Sequence, residues 1–369
     1  VRINRVKPVA RYLAAAIHNV RAAWNFKRLE TRALSRPVKI AVIGSGKAAS
    51  YHLDALSRIG NLEVACIVNR GRSDASHLLK RYRISTHYDS LSDALDRREF
   101  EAALVAVSIP STAEVTYSLA KSGVRCLVEK PLALNTRESE KLCQLDSQNR
   151  HSVAYNRRFY SSVLRARELI DAFGIPYSAH IEASEDMYKI LAASGEDDLT
   201  SRLITNTTHA LDLFTLFLGK AVDTKAMHAR RFLGNVPISF QSSSRFENGC
   251  TGTFVSHWQS PSNWLVSLYG DQYQITIDLN QNECRARVGK KLMKYGPNVE
   301  DRCLKAGVYL QDWNFFEAVA RDESPPLPLC SFIEAHETLA LAESIQFAFQ
   351  ERSINDHEKF ALARSFENV

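Results

Sequence analysis

With 369 residues, 45% hydrophobic and 24% charged, the chain has room for two domains and the make-up of a soluble globular protein. Its net charge of +6 first suggests nucleic-acid binding, but residues 1–36 hold nine Lys/Arg against one acid and the remainder is nearly neutral, which excludes a basic binding body. No apolar run approaches the roughly 18 residues that a membrane span needs. The seven cysteines are scattered without a C-x-x-C pair, which points to a reducing, cytoplasmic setting and away from disulfide frameworks and zinc knuckles; no metal site is expected.

Residues 1–36 form a basic extension. Within it, 8–32 read as an amphipathic helix, with Val9, Leu13, Ala16, Val20 and Trp24 on one side and Arg11, Arg21, Lys27 and Arg28 largely on the other. An arm packing on its own body or on a second subunit is the favoured reading. Peripheral contact with an anionic membrane surface and a targeting role are the alternatives.

Residues 37–155 alternate strand and helix patterns. The strand Val38–Ile43 runs into Gly44-Ser-Gly46-Lys47-Ala48-Ala49, a G-x-G-x-x-A turn that opens a helix over 48–59. The first glycine suits the tight turn and the second a close approach to pyrophosphate. The third position, here Ala49, needs a small residue for helix–strand packing. The helix start then offers free N–H groups to phosphate. Strands follow at 62–68, 102–107, 124–128 and 151–155, with helices near 76–83, 113–122 and 137–148. Continuous apolar strands alternating with helices imply a doubly wound parallel sheet, so the expected class is α/β with a Rossmann domain.

From 156 to about 355 the pattern changes. A helix over 204–218 ends at Gly219, and β-rich runs occupy 226–233, 238–246, 251–258, 264–269 and 273–279. Helices near 311–321 and 333–352 close this second α/β domain, whose sheet is expected to be open, mixed and mainly antiparallel. Residues 356–369 read as a tail.

The second strand ends in Ile67-Val68-Asn69-Arg70, followed by Gly71-Arg72-Ser73. No carboxylate stands there to bind an adenine-ribose 2′-hydroxyl, and Arg70 or Arg72 could pair with a 2′-phosphate; the cofactor is NAD(P), leaning to NADP. Glu129-Lys130-Pro131 follows a buried strand whose carboxyl end faces the ligand cleft. A lysine there, buried beside an oxidised nicotinamide, would have a lowered pKa suited to a base. A Lys–Glu surface pair before a turn proline is the plain alternative.

Together with G-x-G-x-x-A, the E-K-P triplet and its spacing resemble the Gfo/Idh/MocA oxidoreductases. The segments Val107-Ser108-Ile109-Pro110-Ser111, Ala154-Tyr155-Asn156-Arg157-Arg158-Phe159, His209-Ala210-Leu211-Asp212-Leu213 and Phe246-Glu247-Asn248-Gly249 extend the resemblance from about residue 39 to about 350. It implies hydride exchange between nicotinamide and a secondary alcohol or ketone of a sugar, polyol or nucleotide sugar. It also implies a homo-oligomer, dimer or tetramer, formed through the second sheet. Lys130 matches the family's catalytic lysine and His209 its catalytic histidine; Asp212, at i+3, could orient substrate or His209. Gly44, Gly46, Lys47, Ala48, Ala49, Asn69, Arg70, Ser108, Pro110, Glu129, Lys130 and Arg158 are expected at the cofactor. Lys130, Asn156, Asn206 and His209 are expected at the substrate. Arg157 and Arg158 suggest an anionic group or interdomain ion pairs, and Trp258 and Trp264 are read as core rather than as sugar-stacking residues.

Two departures from the family pattern stand out. Thr205 replaces the Asp that often precedes the histidine by four residues, which shifts proton transfer to Lys130 or asks Asn206 to help. Glu114 stands where a nicotinamide-contacting histidine is usual. These departures favour the alternative, a non-catalytic dinucleotide-binding regulator or scaffold, whereas the retained Lys130 and His209 favour an enzyme.

Overall fold

The computed structural model of the chain describes residues 31–70, 75–188, 190, 201–229, 232–233, 236–260 and 263–347. Almost all of the expected N-terminal helix, Arg72 with its neighbours, the end of the last helix and the C-terminal tail lie outside these residues. Nothing among the described residues forms a helix long and apolar enough to cross a membrane.

The first unit is a six-stranded parallel sheet. Its strands are β1 (Arg32–Ile43), β2 (Ile59–Val68), β3 (Thr86–Tyr88), β4 (Ala102–Val105), β5 (Arg125–Val128) and β6 (Ser152–Val153), in the order β3-β2-β1-β4-β5-β6. The helices between them are α1 (Lys47–Leu56), α2 (Ser76–Tyr82), α3 (Leu91–Arg97), α4 (Ile109–Lys121) and α5 (Thr136–Leu145). Strand β1 starts earlier than its apolar run. It pairs with β4 only from Ile40 onward, so its first residues lie at an overhang beside β2 alone and are largely exposed, with Leu34 and Val38 turned inward. Helix α4 also starts earlier than expected, with Pro110 in its first turn, where a missing N–H costs nothing.

Register decides where the ligand cleft lies. Ile43 is level with Val68 and Val105, and Val105 with Val128. The residues after these positions, Gly44, Asn69, Ala106 and Glu129, therefore emerge together at the carboxyl edge. Parallel sheets bind their ligands at that edge, where the strand order reverses on either side of β1.

Beyond β6 a 3₁₀ turn (Asn156–Phe159) leads to α6 (Ser161–Phe173) and β7 (Ser178–Glu182). A π-type turn (Leu203–Thr207) runs directly into α7 (Thr208–Leu218), and β8 (Ala221–His228) and a small ribbon of β9 (Phe232–Leu233) and β10 (Val236–Pro237) follow. Strands β11 (Ser239–Phe246), β12 (Thr251–His257), β13 (Leu265–Gly270), β14 (Tyr273–Asp278), β15 (Glu283–Val288) and β16 (Lys291–Tyr295) complete an eight-stranded sheet, ordered β16-β15-β14-β13-β7-β12-β11-β8. Only β7 and β12 run parallel, so the sheet is mixed and mainly antiparallel as expected. Trp258 and Trp264 are buried in this core.

After the short α8 (Val299–Cys303), helix α9 (Val308–Arg321) returns to the first unit. Its Phe315, Phe316 and Val319 pack with Leu34, Ile40 and Leu53. Each buried phenylalanine contributes roughly 1.5–3 kcal/mol. The final helix, α10 (332–347), joins both units: Phe332 and Ala335 enter the Rossmann core, whereas Leu339, Ala342 and Ile345 enter the core of the second sheet.

Candidate active site

A cavity of about 880 Å³ opens at the carboxyl edge, walled by Gly44–Ala48, Asn69, Arg70, Ala106–Ser108 and one face of α4. Its floor is a cradle that side chains would fill. Gly44 has φ +107°, and a Cβ there would lie 2.2 Å from the Ala106 carbonyl oxygen. A Cβ on Gly46 would meet no protein atom within 4 Å, so this side of the turn is open to a ligand. Helix α1 starts at Gly46 with no side-chain cap, which leaves its first N–H groups available to an anion. Ala49 is fully buried beneath the turn, as the small third position requires. The donor set and its shape fit the pyrophosphate of a dinucleotide.

The expected cofactor residues divide. Lys47, Ala48, Asn69, Arg70 and Ser108 line the cavity, whereas Pro110 is exposed and not among the lining residues. The Asn69 side-chain carbonyl is held by the His87 ring, which turns this end of β2 by a cross-strand contact. Two carboxylates also border the cavity: Glu114 from α4 and Asp89 from the end of β3. Sequence reasoning missed Asp89, because it looked for an acid only after β2.

Lys130 leaves the sheet one residue beyond this edge and reaches across to the second unit. Its Nζ donates to the Thr205 carbonyl oxygen at 2.8 Å. Burial lowers its pKa from the ordinary lysine value; Arg157 and Arg202 push the same way, and Glu129 and Glu185 oppose. The carbonyl it reaches belongs to the π-type turn, one turn before His209 on α7. His209 is 8% exposed, and its ring lies edge-on to Tyr155 with centroids 5.8 Å apart. Burial, followed by the charges of Lys130, Arg157 and Lys305, holds its pKa well below that of free imidazole, so the ring is neutral. Both the His209 Nδ1 and the Thr205 Oγ1 are buried without a hydrogen-bond partner. Thr205 thus leaves vacant the role that a carboxylate would play toward this ring.

Asn206, expected at the substrate, instead donates to both carboxylate oxygens of Glu185, at 2.8 and 3.0 Å, and Thr207 donates to the same group at 3.0 Å. Glu185 is a buried acid beside the site that sequence reasoning missed. It follows β7, which the sequence did not signal, and a single acid after an unrecognised strand carries no pattern.

Two expectations are corrected. Arg158, expected at the cofactor, is fully buried and forms a two-pronged ion pair with Asp212 at 2.7 and 2.8 Å, with Glu334 at 2.9 Å on its other side. Asp212, expected to orient substrate or His209, is thereby a partner of Arg158. The i+3 spacing puts it near the histidine in sequence, but the guanidinium inside the core claims it. Asn156 is also turned from the cleft, donating to the Ala306 carbonyl at 2.9 Å. Close backbone contact fixes this arrangement, since a Cβ on Gly307 would lie 2.0 Å from the Asn156 carbonyl oxygen.

Glu129 is likewise turned inward. One carboxylate oxygen accepts from the Lys130 backbone N–H at 3.1 Å, and the other meets His52 Nε2 at 3.0 Å. The opposite ring nitrogen of His52 contacts Asp312 at 2.8 Å, forming a buried chain Asp312–His52–Glu129 that ends at the peptide of Lys130. Burial opposes the imidazolium, but the two carboxylates outweigh it and raise the His52 pKa to about 10. The signal for His52 was present: a lone histidine on the buried face of the helix after the phosphate turn, close to Ala49 and Leu53.

The cradle at the carboxyl edge of the parallel sheet defines a dinucleotide-binding Rossmann protein. Residues 38–156 match the family described as the oxidoreductase family with an NAD-binding Rossmann fold. That match covers the Rossmann unit alone. The chain is 26% identical over 195 residues to a 4-carboxy-2-hydroxymuconate-6-semialdehyde dehydrogenase from a Sphingobium species, a match covering 52% of this chain and 62% of that protein. It is 27% identical over 130 residues to inositol 2-dehydrogenase 1 of Paenarthrobacter aurescens, covering 34% and 39%. A levoglucosan dehydrogenase solved with NADH shares the fold, with a TM-score of 0.74 at 16% identity over 86% of this chain and 98% of that one.

Proposed function

We propose that the protein is an NAD(P)-dependent dehydrogenase of a secondary alcohol on a sugar, polyol or related molecule, working in a cytoplasmic setting. The observation that carries this reading is Lys130: a half-buried amine at the edge of the dinucleotide cradle, held by the Thr205 carbonyl one turn from His209. When bound, the nicotinamide supplies a carbon that accepts or donates hydride. Lys130 holds the hydroxyl proton at Nζ and takes it up during oxidation, aided by a pKa lowered towards neutrality. His209, being neutral, presents a ring nitrogen that can share a hydrogen bond with the same hydroxyl. The Asp312–His52–Glu129 chain fixes the peptide from which Lys130 projects.

The names of the relatives support an alcohol or aldehyde substrate, and levoglucosan and inositol support a sugar-like one. A preference for NADP is supported by Arg70 in the cavity and by Asn69 where a carboxylate would repel a 2′-phosphate. The division into residues 37–155 for the cofactor and 156–355 for substrate and self-association belongs to this reading, as does oligomerisation through the outer face of the second sheet.

A second reading, a dinucleotide-binding regulator without turnover, is favoured by the partnerless His209 Nδ1 and by Glu114 within the cavity. Replacing Lys130 with Ala separates the two. The dehydrogenase reading expects hydride transfer to fall by about 10²–10⁴-fold while cofactor affinity changes little. Equal turnover in the variant counts against Lys130 as the base, and no turnover in the unaltered protein with any substrate tried supports the regulator.

A further inference from the structure

The two adjacent arginines have opposite fates. Arg158 is consumed by Asp212 and Glu334. Arg157 points the other way and lies flat on the Trp264 ring, its guanidinium carbon 3.8 Å from the ring centroid. Trp264 is itself immobilised, buried in the sheet core with its Nε1 donating to the Ser184 carbonyl at 2.8 Å. The stack holds the guanidinium plane, and the Tyr160 side chain hydrogen-bonds part of its edge. One edge nitrogen, Nη1, is buried without a hydrogen-bond partner. Among the described residues, no carboxylate lies within ion-pair distance of Arg157.

This cation belongs to a cluster. Lys130, Arg157 and Lys305 all lie near enough to His209 to act on it. Among the described residues, the Lys130 amine meets only a backbone carbonyl as hydrogen-bond acceptor, and the exposed Lys305 lies over the Tyr51 ring, 5.7 Å from its centroid. Among the described residues, the acid that acts on both Lys130 and Arg157 is Glu185, which hydrogen-bonds with Asn206 and Thr207 and pairs directly with neither cation. A buried guanidinium nitrogen left without a partner is costly, and the cost is removed when a ligand supplies an acceptor.

Resting on the dehydrogenase reading, we propose that the substrate is an acid: it carries an anionic group, carboxylate or phosphate, that Arg157 receives on its Trp264 platform beside the alcohol held by Lys130. A planar, pre-oriented guanidinium with one unpartnered nitrogen suits charge-assisted recognition of a carboxylate or a phosphate, and both sources share this chemistry. A neutral sugar could accept from the orphaned nitrogen but would bring no charge to match the guanidinium.

The test is calorimetric titration of the full chain, loaded with NAD⁺ or NADP⁺, with glucose, glucuronate, glucose 6-phosphate and tartrate, alongside absorbance at the reduced-nicotinamide band. We expect an anionic probe to bind at least about tenfold more tightly than glucose, consistent with a charge-assisted contact. Arg157→Leu should erase that advantage and Arg157→Lys should recover part of it, with cofactor affinity in both variants showing that the fold is intact. An advantage for glucuronate and tartrate alone identifies a carboxylate; an advantage for glucose 6-phosphate alone identifies a phosphate. Glucose binding as well as every acid, or an anionic advantage that survives in Arg157→Leu, overturns the proposal. Anion binding without hydride transfer supports this site and counts against the dehydrogenase reading; turnover of neutral sugars without an anionic advantage does the reverse.

Discussion

Lys130 and His209 are perturbed in the same direction by the same cause, removal from water, with different consequences for each. A lysine whose pKa is lowered spends more of its time as the free amine, so oxidation of an alcohol should speed up as pH rises and level off above an apparent pKa below 10.5. Reduction needs the ammonium and should slow through the same pKa. His209, held neutral, should add no limb near pH 6.5. Thr205→Asp puts a carboxylate one turn from the ring and should raise the histidine pKa. A new acidic limb in the rate profile, or a His209 proton resonance that now titrates, checks this. His52 makes the opposite case. Its folded pKa of about 10 lies above the usual 6.5, so its contribution to stability is complete below pH 6.5 and is lost as pH rises through about 10. His52→Gln leaves Glu129 and Asp312 without their shared cation and should cost about 3–5 kcal/mol in urea unfolding at neutral pH. It should also flatten that alkaline loss. Lys130 and His209 were legible in the sequence because a strand end and a helix carry them in a known spacing. Glu185, Asp312 and the stacking of Arg157 on Trp264 were not, because each depends on what another segment brings opposite.

The phosphate turn shows how one element can be read almost completely before it is seen. Its two glycines nevertheless do different work, which a paired substitution separates. In Gly44→Ala the new methyl would sit 2.2 Å from the Ala106 carbonyl at φ +107°, so the turn must shift. We expect a loss of stability of about 1–3 kcal/mol together with weaker cofactor binding. Gly46→Ala meets no protein atom within 4 Å, so stability should hold while the methyl enters the phosphate space and cofactor affinity falls. Thermal unfolding and nucleotide titration of the two variants measure the contrast. Helix α6 and strands β7, β15 and β16 escaped the sequence reading. The edge pair β15 and β16 alternates charged and apolar residues, as in Glu283-Cys284-Arg285-Ala286-Arg287, so no continuous apolar run marks it. The π-type turn before α7 was equally silent: it rearranges hydrogen bonds within an apolar helical pattern without changing the pattern.

The two units are joined by chain that crosses back. Helix α9 packs on β1 and α1, α10 enters both cores, and Arg158 links the turn after β6 to α7 and α10 through Asp212 and Glu334. The cleft is therefore held by buried packing as well as by the lysine that spans it. Arg158→Met removes the cation and strands Asp212 in the core, with an expected cost of about 3–5 kcal/mol. Chemical denaturation of the full chain measures it, and wild-type stability would show that the pair carries no load at this junction.

Local patterns were enough to establish the α/β class, the parallel Rossmann sheet, the cradle of Gly44 and Gly46, and the position of Lys130 at a strand end. Each of these follows from short-range rules: side-chain periodicity, the steric freedom of glycine, and the direction in which a parallel strand delivers its last residue. Which charges meet was decided only by the tertiary structure. Arg157 and Arg158 are neighbours with the same side chain, yet one is neutralised in the core and the other is stacked on a tryptophan with no carboxylate paired to it among the described residues. Nothing local distinguishes them, because the Coulomb and desolvation energies that separate their roles come from partners as far away in the chain as Asp212, Trp264 and Glu334.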